Sequence, residues 1–123
     1  MMVPLIQAVM QGSAGVRAQL GNTIRFFYGS APLDTTLPYG VWDIVGGSPL
    51  EQLSERPPAD GWRVRITIWG QSLSQANAAA VAVRDEIELR GSIESYNPTP
   101  DDDDTGLAGI SFDVRLLELR SSA

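Results

Sequence analysis

Four consecutive carboxylates, Asp101 to Asp104, are the residues that most invite a chemical reading. A magnesium ion takes about six oxygen ligands at ~2.1 Å, converging from fixed positions. Successive side chains of an extended segment point to opposite sides, so four in a row do not converge on one ion. The run also lacks the alternating spacing and distal glutamate of a calcium loop. Pro98 and Pro100 before it, and Thr105-Gly106 after it, mark a solvated turn between two strands. The expectation is therefore an acidic loop at about 97–108, mobile because its charges repel one another, and no metal site.

Other carboxylates offer less. Asp85, Glu86 and Glu88 fall on the outer face of a predicted helix, where solvation accounts for them. Asp43 and Asp113 sit in predicted strands, with Arg63, Arg65 and Arg115 as prospective cross-strand partners. The chain has no cysteine and no histidine, and all nine basic residues are arginine. Thiolate chemistry, imidazole acid–base chemistry and lysine Schiff bases are thereby excluded, and no serine has an activating base. Gly46-Gly47 is no phosphate loop, since no Gly-Lys-Ser/Thr follows. No catalytic residue, cofactor or metal is expected. The reading is of a protein that is not an enzyme.

Charge narrows the partners further. A net charge of -6 argues against a phosphate-binding surface, because nucleic-acid readers need clustered positive charge. No apolar run approaches the roughly 20 residues of a membrane span, and the N-terminus has no secretory pattern. The expectation is one soluble domain, 1–123, made in a cytoplasm, without membrane contact.

The elements that position these residues follow from periodicity. Pro4 to Leu20 reads as helix, either single or broken at Gly12-Ser13-Ala14-Gly15. Ile24 to Tyr28 and Tyr39 to Val45 read as strands, the second stopping at Gly46-Gly47. Leu50 to Asp60, with Pro57-Pro58, reads as an extended loop. Trp62 to Trp69 alternates strictly, with Trp62, Val64, Ile66 and Ile68 on one face and Arg63, Arg65, Thr67 and Trp69 on the other. Ser72 and Gln75 form a capping box for an alanine-rich helix to Leu89, whose apolar stripe is Leu73, Ala76, Ala80, Val83 and Ile87. Ile93 to Tyr96 and Ile110 to Leu119 complete the strands. The class is α+β: a mostly antiparallel sheet of four to five strands with one long helix and an N-terminal helix packed on it.

Aromatic residues exceed what one sheet face can bury. Phe26, Phe27 and Tyr28 are consecutive, and Trp42 and Trp69 alternate with Val41 and Ile68. Either a helix covers the second face or a subunit does, since interfaces are enriched in aromatics and arginine. The candidate interface residues are Phe26, Phe27, Tyr28, Leu50 and Leu53 (in the Leu50 to Pro58 loop) and Trp69.

The layout has a familiar order. Pro32 and then Leu37-Pro38-Tyr39 enter a strand, a charged loop follows, and Arg63, Arg65 and Trp69 mark the next strand before the alanine-rich helix and a last strand near Leu119. This resembles, over nearly the whole chain, the small tail-completion proteins of tailed bacteriophages and gene-transfer agents, in particular the tail terminators of long-tailed particles. The acidic insertion lies outside the resemblance. It implies a sheet with helices on one side and assembly as a homo-hexameric ring. The ring caps the last ring of tail-tube protein, stops polymerisation and offers a surface to the head-completion (neck) protein. The place implied is the head-proximal end of the virion tail, after synthesis in the host bacterium. DNA would only pass through the channel, and Asp101, Asp102, Asp103 and Asp104 would face that channel or a neighbouring ring, repelling DNA. The rival readings are a head-tail joining protein, a metal-dependent carboxylate enzyme using the aspartate run, and an adaptor that binds a protein through exposed aromatics.

Overall fold

The computed structural model describes residues 6–50, 59–97, 101–102 and 106–119. The chain runs α1 (Ile6–Gln11), α2 (Ala14–Leu20), β1 (Phe26–Tyr28), β2 (Tyr39–Leu50), β3 (Ala59–Gly70), α3 (Leu73–Ile87), β4 (Gly91–Asn97), β5 (Asp101–Asp102) and β6 (Leu107–Leu119). The class is α+β. One sheet has the order β1-β2-β3-β6-β4, and the two residues of β5 pair with β6 off that path.

That sheet is mixed, which corrects the mostly antiparallel expectation. β2–β3, β3–β6 and β4–β6 are antiparallel, but β1 lies parallel to β2, with Phe26 opposite Gly40 and Tyr28 opposite Trp42. A tight hairpin would have reversed the chain. Instead the segment from Gly29 to Pro38 carries it back to the start of β1 before β2 begins. The N-terminal helical region is two helices, because Ser13 turns outward and caps the second: its Oγ accepts from the Val16 amide at 3.3 Å.

Strand lengths also differ from the sequence reading. β2 does not stop at Gly46-Gly47 but runs on to Leu50, with a register shift between Ile44 and Gly46 that leaves Val45 as the extra residue. A bulge absorbs one residue and lets the ladder resume. Pro49 and Leu50 then pair with Asp60 and Ala59, so both ends of the expected loop are strand. β6 begins at Leu107, earlier than Ile110, and Asp101 and Asp102 pair with Ala108 and Leu107. Part of the acidic stretch is thus strand rather than loop; Asp103 and Asp104 lie outside the described residues.

The core lies between the sheet and the helices. Val64, Ile66 and Ile68 of β3 and Phe112, Val114 and Leu116 of β6 are buried on one face. Against them α3 sets Ala76, Ala79, Ala80, Val83 and Ile87, small enough to bring the helix close. Leu73 is not part of that stripe. It sits 60% exposed in the first turn, and Ala79 belongs in its place. Ser72 caps α3 as expected, its Oγ accepting from the Gln75 amide at 3.1 Å. The Gln75 side chain reaches one residue further back than a capping box requires, accepting from the Gln71 amide at 2.7 Å.

α1 is fastened to the parallel pair by one residue. Gln7 donates to the Phe26 carbonyl at 2.7 Å and accepts from the Trp42 indole at 3.0 Å. Gly40 is needed in the same place: a Cβ there would come 2.6 Å from the Phe26 ring and 2.9 Å from Ile68. Phe26 and Trp42 are therefore core residues, 1% and 3% exposed.

Candidate assembly surface

The helices cover one face of the sheet, and the other face carries a continuous set of side chains in two zones. The registers place Phe27 beside Val41, Tyr39 beside Trp69, and Val41 beside Thr67. These are partly exposed and mostly apolar. Further along, Thr67 stands beside Ser111, Arg65 between Asp43 and Asp113, and Arg63 directly opposite Arg115.

The polar zone is bonded together. Arg65 donates Nε to Asp113 Oδ1 at 2.9 Å and Nη2 to Oδ2 at 3.3 Å, a bidentate pair. Asn97, across from Ser111, donates to Asp113 Oδ1 at 3.0 Å and to Ser111 Oγ at 3.3 Å. Thr67 donates to Ser111 Oγ at 3.3 Å. Arg63 pairs with Glu94 at 3.0 Å. Asp113 is nearly buried, at 8% exposure. Hydrogen bonding from Arg65 holds its carboxyl below the usual range, and the Asn97 bond and the charges of Arg65 and Arg63 act in the same direction; burial opposes them. The same bond, with the Asp113 charge, raises Arg65. A carboxylate so satisfied is held ionised. Its geometry is that of a pinned structural pair, not a proton donor or acceptor at work.

The expected interface residues separate. Phe27 and Trp69 are on this bare face, partly exposed. Tyr28 lies at the edge, 55% exposed and stacked on Trp42 with ring centroids 4.4 Å apart. Phe26 is withdrawn into the core, so it offers no surface to a partner. Leu50 ends β2, its backbone paired with Ala59, while Leu53 lies outside the described residues. Tyr39, Val41 and the Asp113–Asn97 network were not foreseen. The Tyr39–Val41 alternation was a usable signal, whereas Asn97 needed the register of β4 on β6. Among the described residues no group of three carboxylates is placed to hold a metal, and no helix is long and apolar enough to cross a membrane.

A sequence profile of the tail completion protein gp17 family matches residues 4–117. The chain belongs to that family. This tail completion protein is accordingly a structural component of a phage-type tail, associated with the virion, and its family is one of structural parts rather than of enzymes. No curated protein sequence matches it significantly. Nineteen chains of solved structures match its fold. One, from the virion of a native gene transfer agent particle, aligns with a TM-score of 0.57 at 12% identity, covering 94% of this chain and 92% of that one. At that identity the likeness is one of fold.

Proposed function

We propose that this tail completion protein caps the tail tube as a homo-hexameric ring, ends tube polymerisation and presents the joint to the head-completion protein. The observation that carries the reading is family membership across residues 4–117. The bare sheet face supports it: Phe27, Tyr39, Val41 and Trp69 form an apolar strip with no helix over it among the described residues, beside a polar zone already fixed in place. Such a face suits a rigid protein partner, since little side-chain freedom remains to be lost on docking. The ring sits at the head-proximal end, and DNA passes through it without being bound.

Asp101 to Asp104 face the channel or the next ring in this reading, keeping DNA from adhering during ejection. Replacing all four with asparagine slows ejection or spoils docking; unchanged infectivity would remove the assignment. The capping function is tested by adding the purified chain to polymerising tail-tube subunits. Growth should stop at a length set by the time of addition. Tubes that keep growing while the chain binds filled heads would assign it to the head-tail joint instead.

A further inference from the structure

The two edges of the sheet have open lengths that match. On one side β1 covers β2 only from Gly40 to Trp42, so among the described residues Asp43 to Leu50 have no neighbouring strand there. On the other side β4 is the last strand of the order, and an open groove of about 430 Å³ runs along it past Gly91, Ile93 and Tyr96. The carboxylates lining that groove are already answered, Glu88 by Arg84 at 3.4 Å and Glu94 by Arg63 at 3.0 Å.

Backbone groups alternate in direction along a strand, so the registers fix which of them point outward. On β2 the Gly40 amide donates to the Arg25 carbonyl at 2.8 Å, and the Trp42 carbonyl accepts from the Gly29 amide at 3.0 Å, both on the β1 side. Ile44 faces that side too. Once the bulge at Val45 has shifted the phase, so do Gly47 and Pro49. Proline is harmless there, because no bond to β3 needs its missing N–H. Carried across β3 and β6, the same alternation turns Gly91, Ile93 and Tyr96 of β4 outward, with the bulge at Glu94 between the last two. Read in opposite directions the two sets have one spacing: Ile44, bulge, Gly47, Pro49 against Tyr96, bulge, Ile93, Gly91. All of these positions belong to the helix-covered side of the sheet.

We propose that the β2 edge of one copy pairs with the β4 edge of the next, joining the sheets of neighbouring subunits into one. β2 and β4 run in opposite directions within a copy, so a neighbour with its helices on the same side brings an antiparallel partner. Ile44 then exchanges backbone bonds with Tyr96 and Gly47 with Ile93, and the Gly91 amide donates to the Pro49 carbonyl. A bulge ordinarily blunts an edge against pairing. Here each bulge lies opposite the other, and both strands bend together. Tyr96, 65% exposed in the monomer, covers Ile44, and Ile93 lies over Gly47, where the Trp62 ring passes 2.8 Å from the place of a Cβ. β4 ends at Asn97, opposite Asp43, just where β1 takes up the edge of β2. The occupant is a second copy because this chain supplies both edges, with equal spacing and on one face. Two different edges make a heterologous contact, the type that closes into a ring by rotation. This inference rests on the ring reading and says which surfaces form it.

Covalent trapping tests it. Ser48 and Ser92 face each other in this register, and the chain has no cysteine. Within one copy β2 and β4 are three strand spacings apart, about 14 Å. That is too far for an internal disulfide. Particles are made with S48C, S92C or both in a producer lacking its own copy, oxidised, and run on a non-reducing denaturing gel. The double variant should give a ladder of multimers ending at the ring's copy number, and each single variant should stay monomeric. Dimers of a single variant would mean that like edges pair, and would overturn the proposal. Electron micrographs of the same tail ends read the ring independently. A ring without the ladder would overturn this contact and leave the ring reading intact; no ring would overturn both. The backbone itself is tested without cysteine. Tyr96→Pro removes an outward amide and should lower the yield of tailed particles about tenfold, whereas Tyr96→Ala keeps the amide and should lower it less. Equal yields from the two would overturn the pairing.

Discussion

The two faces of β3 are made by one strand and differ in burial and composition. Val64, Ile66 and Ile68 are fully buried against α3, while Arg63, Arg65, Thr67 and Trp69 alternate with them on the side away from α3. On the covered face Val64, Ile66 and Ile68 pack into the core and hold the monomer together. The bare face mixes an apolar strip with a bonded polar network, a composition closer to an interface than to a core. On the proposed assembly, alternation separates stability from docking along a single strand, and a substitution should reveal which face it touches.

The largest effect on folding is expected on the covered face. Ile66→Ala should cost about 3 kcal/mol in chemical denaturation, the usual range for emptying a buried aliphatic site. A cost near that of a surface change would mean that α3 does not seal the face. Removing the α3 cap with Ser72→Ala should cost about 1 kcal/mol by the same measurement. Asp113→Asn should also cost about 1 kcal/mol, since the Arg65 bonds weaken while the side chain keeps its shape.

That aspartate also gives the bare face a pH signature. Its carboxyl is depressed when folded, so the unfolded chain binds the proton first as pH falls. The stability it contributes is complete above the ordinary aspartate range, about 4, and is lost as pH drops through the folded value. Acid unfolding of Asp113→Asn should therefore be shallower than wild type below about pH 4. Parallel curves would show that the pair does not matter to folding. The smallest effect on the monomer belongs to Trp69→Ser, about 0.5 kcal/mol, yet it should sharply reduce tailed particles. Trp69→Ser destabilising as much as Ile66→Ala would collapse the distinction between the faces.

Sequence reasoning reached the parts of this fold governed by a period. The alternation of β3 identified both faces residue by residue, and Ser72 announced the start of α3. Where geometry depends on distant partners it fell short. Nothing local in Phe26-Phe27-Tyr28 specifies that the strand runs parallel to β2, because that follows from the return of the chain through Gly29 to Pro38. Phe26 and Trp42 entered the core through Gln7 of α1, which is 35 residues from Trp42. Gly46-Gly47 looked like an end because glycine weakens strands, but a bulge at Val45 carries the ladder on. Leu73 has helical spacing yet falls in the turn of α3 that remains exposed. The candidate surface was half legible: Phe27 and Trp69 by alternation, but not Asn97 or Arg115 opposite Arg63, which only register brings together.

Electron microscopy of particles from a producer in which the gene is disrupted shows whether this tail completion protein ends tail growth. Tails of uncontrolled, excessive length are the predicted result, because the stop would be missing. Tails of normal length lying apart from filled heads would contradict it and move the protein to the joint above.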